Sequence, residues 1–239
     1  MMRFLSILIS CMPLNILRIF LYRKILNYQI DYSSKISMFN LISCNKFVGK
    51  KIKIGILNRI VVDQMYCEEG VVIKNLNRFL FVRKITLRTN ATICSSNSFI
   101  GTRDFFSPYE DTFQIVIGKD TIITNSHYFD CASKITIGNN VVFGGRNTEV
   151  WTHGFDSNRI MILGDVFIGN DIYIGSGCKI LQGVIIHDKV TIGAGAIISK
   201  SIRESGFYVS SQLIRKSNIA DYSKHPNLIN YNGSGFIRK

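Results

Sequence analysis

Three prolines in 239 residues leave little to interrupt extended chain, and proline, lacking an N–H, is what a long β-ladder tolerates least. Acidic residues are scarce at one end. Asp31 is the sole acid among the first sixty residues, against Arg3, Arg18, Arg23, Lys24, Lys35, Lys46, Lys50, Lys51, Lys53 and Arg59. Such a basic end suits an anionic membrane surface, a polyanionic substrate or a nucleic acid. No helix-turn-helix, zinc finger or aromatic RNA-stacking motif accompanies the charge, so nucleic acid is not an expected partner. The six cysteines, Cys11, Cys44, Cys67, Cys94, Cys131 and Cys178, form no CxxC pair and no zinc-like cluster. Free thiols in a reducing compartment are expected instead of a disulfide framework. The opening "MMRFLSILISCMPLNILRIFLYRKILN" begins like a signal peptide. No small-residue cleavage site follows, and Arg18 interrupts the apolar run too early for a transmembrane helix.

What the sequence does have is a period of six. Isoleucine returns at Ile162, Ile168, Ile174, Ile180, Ile186, Ile192 and Ile198. A helix asks for steps of three and four, an exposed strand for steps of two. A sustained step of six points to a parallel β-helix. Six residues with a bend make one flat face. Three faces close a triangular coil of about eighteen residues, stacked on the next at about 4.8 Å. The isoleucine fills the interior, and a residue four places on, at Ile172, Cys178, Val184, Val190 and Ala196, also points inward. The residue after the isoleucine is expected in the turn, where Gly169, Gly175 and Gly193 would supply positive φ; Leu181 and His187 fill the same slot.

The period recurs upstream at Ile36, Ile42, Val48, Ile54 and Ile60, and then shifts. Ile73, Phe79 and Ile85 form one set; Leu87, Ile93 and Phe99 another; Ile117, Ile123 and Phe129, then Ile137 and Phe143, follow. Shifts of register mean inserted loops, and the clearest is "GTRDFFSPYEDTF", residues 101–113. The predicted organisation is an all-β solenoid over residues 31–202, with an end piece on either side. Residues 1–30 are predicted to hold a helix after Pro13, with Leu14, Leu17, Leu21 and Ile25 on its apolar stripe. That segment either covers the open end of the solenoid, as a repeat array requires, or lies on a bilayer surface. Residues 203–239 lose the repeat and form a short irregular segment and tail.

The block "IGNDIYIGSGCKILQGVIIHDKVTIGAGAIISK", with "FDCASKITIGNNVVFGGRNTEVWTH" before it, resembles the hexapeptide-repeat (left-handed β-helix) acyltransferases. It is similar to their branch of galactoside, maltose and polysaccharide O-acetyltransferases. The resemblance runs from about residue 112 to 216. It implies a left-handed coil and an acetyl-CoA co-substrate with no metal. It implies a homotrimer with acyl-CoA in the groove between neighbours; the charge-poor stretch Ile172–Ile186 is the candidate contact face. It puts His153 in the role of general base, which suits a side chain that titrates near neutrality. The thioester is expected near Gly175 and Ser176, the pantetheine near Ala194, and the nucleotide near Ser199, Lys200 and Arg215. The acceptor is expected near Asn125 and Asp130, with Trp151 shaping the pocket and Tyr173 as an aromatic platform. The stretch "YVSSQLIRK" departs from the family: it has no proline, and Gln212 stands where a basic residue is usual. Arg215 is then left with more of the phosphate contact. His127 and His187 are expected at coil corners.

The activity so implied is acetyl-CoA-dependent O-acetylation of a saccharide, lipid-linked or polyanionic, in bacterial surface polysaccharide assembly. The location implied is the cytoplasm, including the inner face of its membrane. Three alternatives stay open: N-acetylation of a nucleotide sugar, a non-catalytic solenoid scaffold, and a γ-carbonic-anhydrase-like metalloenzyme, although His127, His153 and His187 lack the close pair of histidines that such a zinc site uses.

Overall fold

In a computed structural model, the described residues are 2–101 and 112–210, together with the backbone of 228–231 and 234–237. They form a parallel β-solenoid of about eight turns. One face is a nine-stranded sheet that begins at Lys35–Ile36 and Lys53–Ile54 and ends at Gly206–Tyr208. A 13-stranded sheet makes the other two faces. Its strands Leu41–Gly49, Arg59–Cys67 and Arg78–Leu87 run round the corner between those faces, so the early coils are smooth there. The loop expected at 101–113 falls at this same corner, and residues 102–111 of it lie outside the described residues.

The interior follows the period of six with two exceptions. From Ile168 to Ile198 every sixth residue is buried, as are Ile172, Cys178, Val184, Val190 and Ala196. Ile162 is not part of the series: it is 48% exposed and sits on Met161–Leu163, which pairs antiparallel with His153–Phe155. That hairpin projects from the coil, and its step of six to Ile168 is coincidental. Upstream, Phe47 fills the interior in place of the half-exposed Val48.

The glycines need a different explanation from the expected one. Gly169, Gly175 and Gly193 do not have positive φ. They are glycine because the next coil leaves no room. An added Cβ would lie 2.2 Å from Asp188 Oδ1 at Gly169, and 2.6 Å from the Ala194 nitrogen at Gly175. Positive φ falls two residues later, at Asp171, Gly177, Gly183, Lys189 and Gly195.

One corner is held by a side-chain ladder. Asn40, Asn58, Asn77, Asn97, His127, Thr148 and Cys178 stack with steps of 18, 19, 20, 30, 21 and 30 residues. Each of the first six rungs accepts the backbone N–H of the next. Each asparagine also donates to a carbonyl one coil on: Asn58 to Lys74, Asn77 to Cys94, Asn97 to Thr124. Buried backbone groups at a corner would otherwise lack partners, and an unmade bond there is expensive.

The N-terminal end piece is two helices, α1 (Met2–Ser10) and α2 (Asn15–Ile25). They occupy the place of a preceding coil. Ser6 Oγ accepts the Ile42 N–H at 2.8 Å, Asn15 Oδ1 accepts the Ile36 N–H at 2.8 Å, and Arg18 Nε donates to the Ile36 carbonyl at 2.9 Å. The expected stripe on α2 is corrected by this packing. Arg18, Ile19 and Tyr22 face inward, whereas Leu14 and Ile25 are exposed. A strand edge needs donors and acceptors, so the polar side chains turn toward the protein. Residues Leu228–Tyr231 and Ser234–Ile237 pair as an antiparallel hairpin. Among the described residues no helix is long and apolar enough to cross a membrane.

Candidate active site

The chain leaves the strand Glu149–Val150 at the corner that follows Tyr128–Asp130 one coil below. There Thr152 and His153 lie over Asp130. The Thr152 N–H donates to Asp130 Oδ2 at 2.9 Å, and its hydroxyl donates to the Asp130 carbonyl at 2.7 Å. Thr152 Oγ1 accepts the Ser133 N–H at 2.8 Å, and Ser133 Oγ donates to Asp165. The corner is thereby tied across two successive coils. His153 Nδ1 meets Asp130 Oδ2 at 2.6 Å, with the His153 side chain 23% exposed and that of Asp130 only 6%. A carboxylate only accepts, so Nδ1 carries the proton in this contact, and in the neutral imidazole Nε2 then keeps its lone pair. This is the arrangement of a general base whose tautomer and direction are fixed by a carboxylate.

Two aromatic rings lie against the imidazole. The Trp151 and Phe155 rings lie 6.5 Å and 5.6 Å from it, and Tyr128 packs on Trp151 at 5.2 Å. Trp151 Nε1 donates to Glu149 Oε2 at 3.0 Å, and Lys179 Nζ pairs with that oxygen at 3.5 Å. The base of the hairpin is closed by the Gly164 N–H on the Thr152 carbonyl. Gly164 must be glycine, since a Cβ would come within 2.6 Å of the Gly183 nitrogen.

The expected site residues divide between two corners of the coil. Asp130 and Trp151 adjoin His153, but Asp130 is buried beneath it, bonded to its imidazole and not exposed to an acceptor. Ser199 and Lys200 lie at the His153 corner two coils on, lining a cavity of about 230 Å³ with Ile198 and Tyr208. Gly175, Ser176 and Ala194 lie at the other end of the strand that separates the corners, Lys179–Ile180. Ser176 Oγ donates there to the Arg146 carbonyl at 2.8 Å. Asn125 is at that corner too, its Oδ1 accepting the Ser95 N–H at 3.0 Å, so its side chain joins coils. Tyr173 is on the nine-stranded sheet with its hydroxyl over Gly144. Arg215 lies outside the described residues.

His127 and His187 take no part in the pair. His127 is a rung of the ladder: Nδ1 accepts the Thr148 N–H at 3.1 Å and Nε2 meets Thr124 Oγ1 at 2.9 Å. Burial pushes its pKa down to about 4, as expected when a cation would lose its water. His187 is exposed at a corner. Among the described residues no three His, Cys, Asp or Glu side chains are grouped so as to hold a metal ion. Thr152, Ser133 and Phe155 were not foreseen. Only the adjacency of Thr152 and Phe155 to His153 in the chain offered a signal.

Residues 165–200 match the family model described as bacterial transferase hexapeptide (six repeats). YvoF of Bacillus subtilis, provisionally named an acetyltransferase, is 30% identical over 111 residues, 46% of this chain and 62% of that protein. The galactoside O-acetyltransferase of Escherichia coli is 36% identical over 98 residues, 38% of this chain and 47% of that protein. A maltose O-acetyltransferase structure from Clostridium difficile 630 is 26% identical and has a TM-score of 0.39, covering 53% of this chain and 62% of that one. The chain thus spans 62% and 47% of the two named relatives. It carries the hexapeptide repeat of the bacterial transferases, and its relatives are named acetyltransferases.

Proposed function

We propose that this chain transfers an acetyl group from acetyl-CoA to a hydroxyl of a saccharide. The observation that carries the reading is the Asp130–His153 pair, with two aromatic rings against the imidazole. The acceptor oxygen attacks the thioester carbonyl carbon while His153 Nε2 takes its proton. The tetrahedral intermediate then expels the CoA thiolate, and the imidazolium returns the proton to that sulfur. A backbone N–H at a coil turn would hold the oxyanion. Trp151, Phe155 and Tyr128 suit the apolar C–H faces of a sugar ring, and Glu149 and Lys179 supply polar groups beside them.

The separation of the two corners supports a homotrimer. Gly175, Ser176 and Ala194, where the thioester and pantetheine are expected, lie across a strand from His153 in the same chain. A neighbouring copy that sets its Gly175 corner against the His153 corner would complete the site. Dependence on acetyl-CoA places the reaction on the cytoplasmic side, and assembly of a bacterial surface polysaccharide is the setting this reading favours. The test is acetyl-CoA consumption with candidate glycans, followed by mass spectrometry of the acceptor. A gain of one acetyl that mild alkali removes supports the reading. An alkali-stable acetyl would point to an amine acceptor, and no transfer to any glycan would overturn it.

A further inference from the structure

The amphipathicity of α1 is reversed. Its inward residues are Ser6, Ile9 and Ser10, while Phe4, Ile7 and Leu8 face outward. Folding explains the inward serines: Ser6 Oγ accepts the Ile42 N–H and Ser10 Oγ donates to the Ile7 carbonyl at 2.8 Å. Nothing in the fold of one chain explains the outward side. α2 packs beside α1 and continues it, with Ile16 and Phe20 one turn apart on the exposed side and Leu14 just before them. Phe4, Ile16 and Leu14 are 66%, 65% and 62% exposed. Scattered apolar residues on a surface need no reason, but these six, on two adjoining helices and the link between them, mark a docking face.

Charge decides what docks there. Arg3 and Lys24 are exposed on the same helices. Beside them an open cavity of about 460 Å³ is lined by Arg23, Lys24, Tyr32 and Lys50, with Asp31 as its carboxylate. Asp31 is the sole acid of the first sixty residues. A second copy brought face to face would set this basic surface against itself, so self-pairing is opposed. An apolar face rimmed by cations is complementary to one common surface, a bilayer with anionic headgroups, into which short helices insert their apolar sides without crossing. We infer that α1 and α2 dock this chain on an anionic membrane surface. The inference stands apart from the acetyl-transfer reading and holds or fails without it.

The test is co-sedimentation of the full chain with phosphatidylglycerol–phosphatidylcholine vesicles, against vesicles of phosphatidylcholine alone, across a salt series. The native chain should partition to the anionic vesicles and be released as salt rises. Phe4→Ser, Ile7→Ser and Phe20→Ser together should lower partitioning more than about tenfold, since each removes a large buried-in-lipid group. Arg3→Gln and Lys24→Gln should each lower it about fivefold at low salt. A fluorophore on the exposed Cys11, in a Cys94→Ser background, should shift to the blue with anionic vesicles; this arm stands even where the serine variant fails to fold. Failure of the native chain to bind, binding indifferent to the serine variant, or light scattering that shows self-association lost in that variant would each overturn the inference.

Discussion

His153 Nδ1 and Asp130 Oδ2 are 2.6 Å apart, and the residues that carry them are one coil apart in the stack. Asp130 is buried, so its carboxylate has little to do except hold Thr152 and His153. Asp130→Asn should therefore act on the base through its orientation. We expect kcat to fall by about tenfold to a hundredfold, a part of what the base itself contributes, with KM little changed. Steady-state kinetics checks this, and a change confined to KM would assign Asp130 to the acceptor instead.

His153→Ala should lower turnover by roughly two to four orders of magnitude, the usual worth of a positioned base. The residue is at the entrance to a hairpin and off the apolar ladder, so the solenoid should still fold, with Tm lowered by the loss of a partner for the buried Asp130. Ile180→Asp is the contrast. Ile180 is fully buried, and an unpaired carboxylate there should abolish folding. Circular dichroism melts separate the two outcomes. Near-normal turnover of His153→Ala would remove the base assignment.

Gly175 and Gly177 should respond differently to asparagine. At Gly175 the obstacle is space: a Cβ meets the Ala194 backbone at 2.6 Å. Gly175→Asn should destabilise the fold by about 1–3 kcal/mol or more, the range for overpacking. At Gly177 there is open space and φ is +69°, a region asparagine enters readily. Gly177→Asn should be near neutral. Urea unfolding of the two variants gives the comparison.

His127 gives the fold an acid sensitivity. Its pKa in the folded chain is pushed down to about 4 by burial, against an ordinary value of about 6.5 in the unfolded chain. Between those values the unfolded chain binds more protons, so stability rises with pH. The contribution is complete above about pH 6.5 and is lost as pH falls toward 4. His127→Asn, which restores the rung used by the coils below, should flatten that part of a plot of Tm against pH. An unchanged slope would place the titrating group elsewhere.

The interior of the solenoid was legible because a period of six states directly which side chains fill a narrow tube. Ile168 to Ile198 needed no tertiary information. Ile162 shows the limit: a hairpin of alternating exposure can keep the same step by chance. The glycines show another. Gly169 and Gly175 were recognisable as special, but the reason, contact with a coil 18 or more residues away, is not a local property. Arg18 faces inward because an exposed strand edge needs donors, which an apolar-stripe reading of α2 leaves out. At the site, spacing and type single out His153 as a candidate, and the structure adds its contact with Asp130. Asp130 was singled out, but its role depends on which residues one coil places over another, and the intervening step of 23 residues carries no local mark of that.

The steps between ladder rungs, 18 to 20 residues in the early coils and 30 where the chain makes an excursion, bear on how such a molecule can change. After the hairpin His153–Leu163 the strands resume their pairing with no displacement: Val150 stacks on Ile180 as Phe129 stacks on Phe99. A corner excursion thus alters the recognition surface while the inward sequence stays untouched, and lengthening a loop carries only a slowly growing entropic penalty. The hairpin beside His153 is in this sense a replaceable part. Exchanging its residues 154–163 for a hairpin of another length, between His153 and Gly164, offers a route to a different acceptor that keeps both the tube and His153.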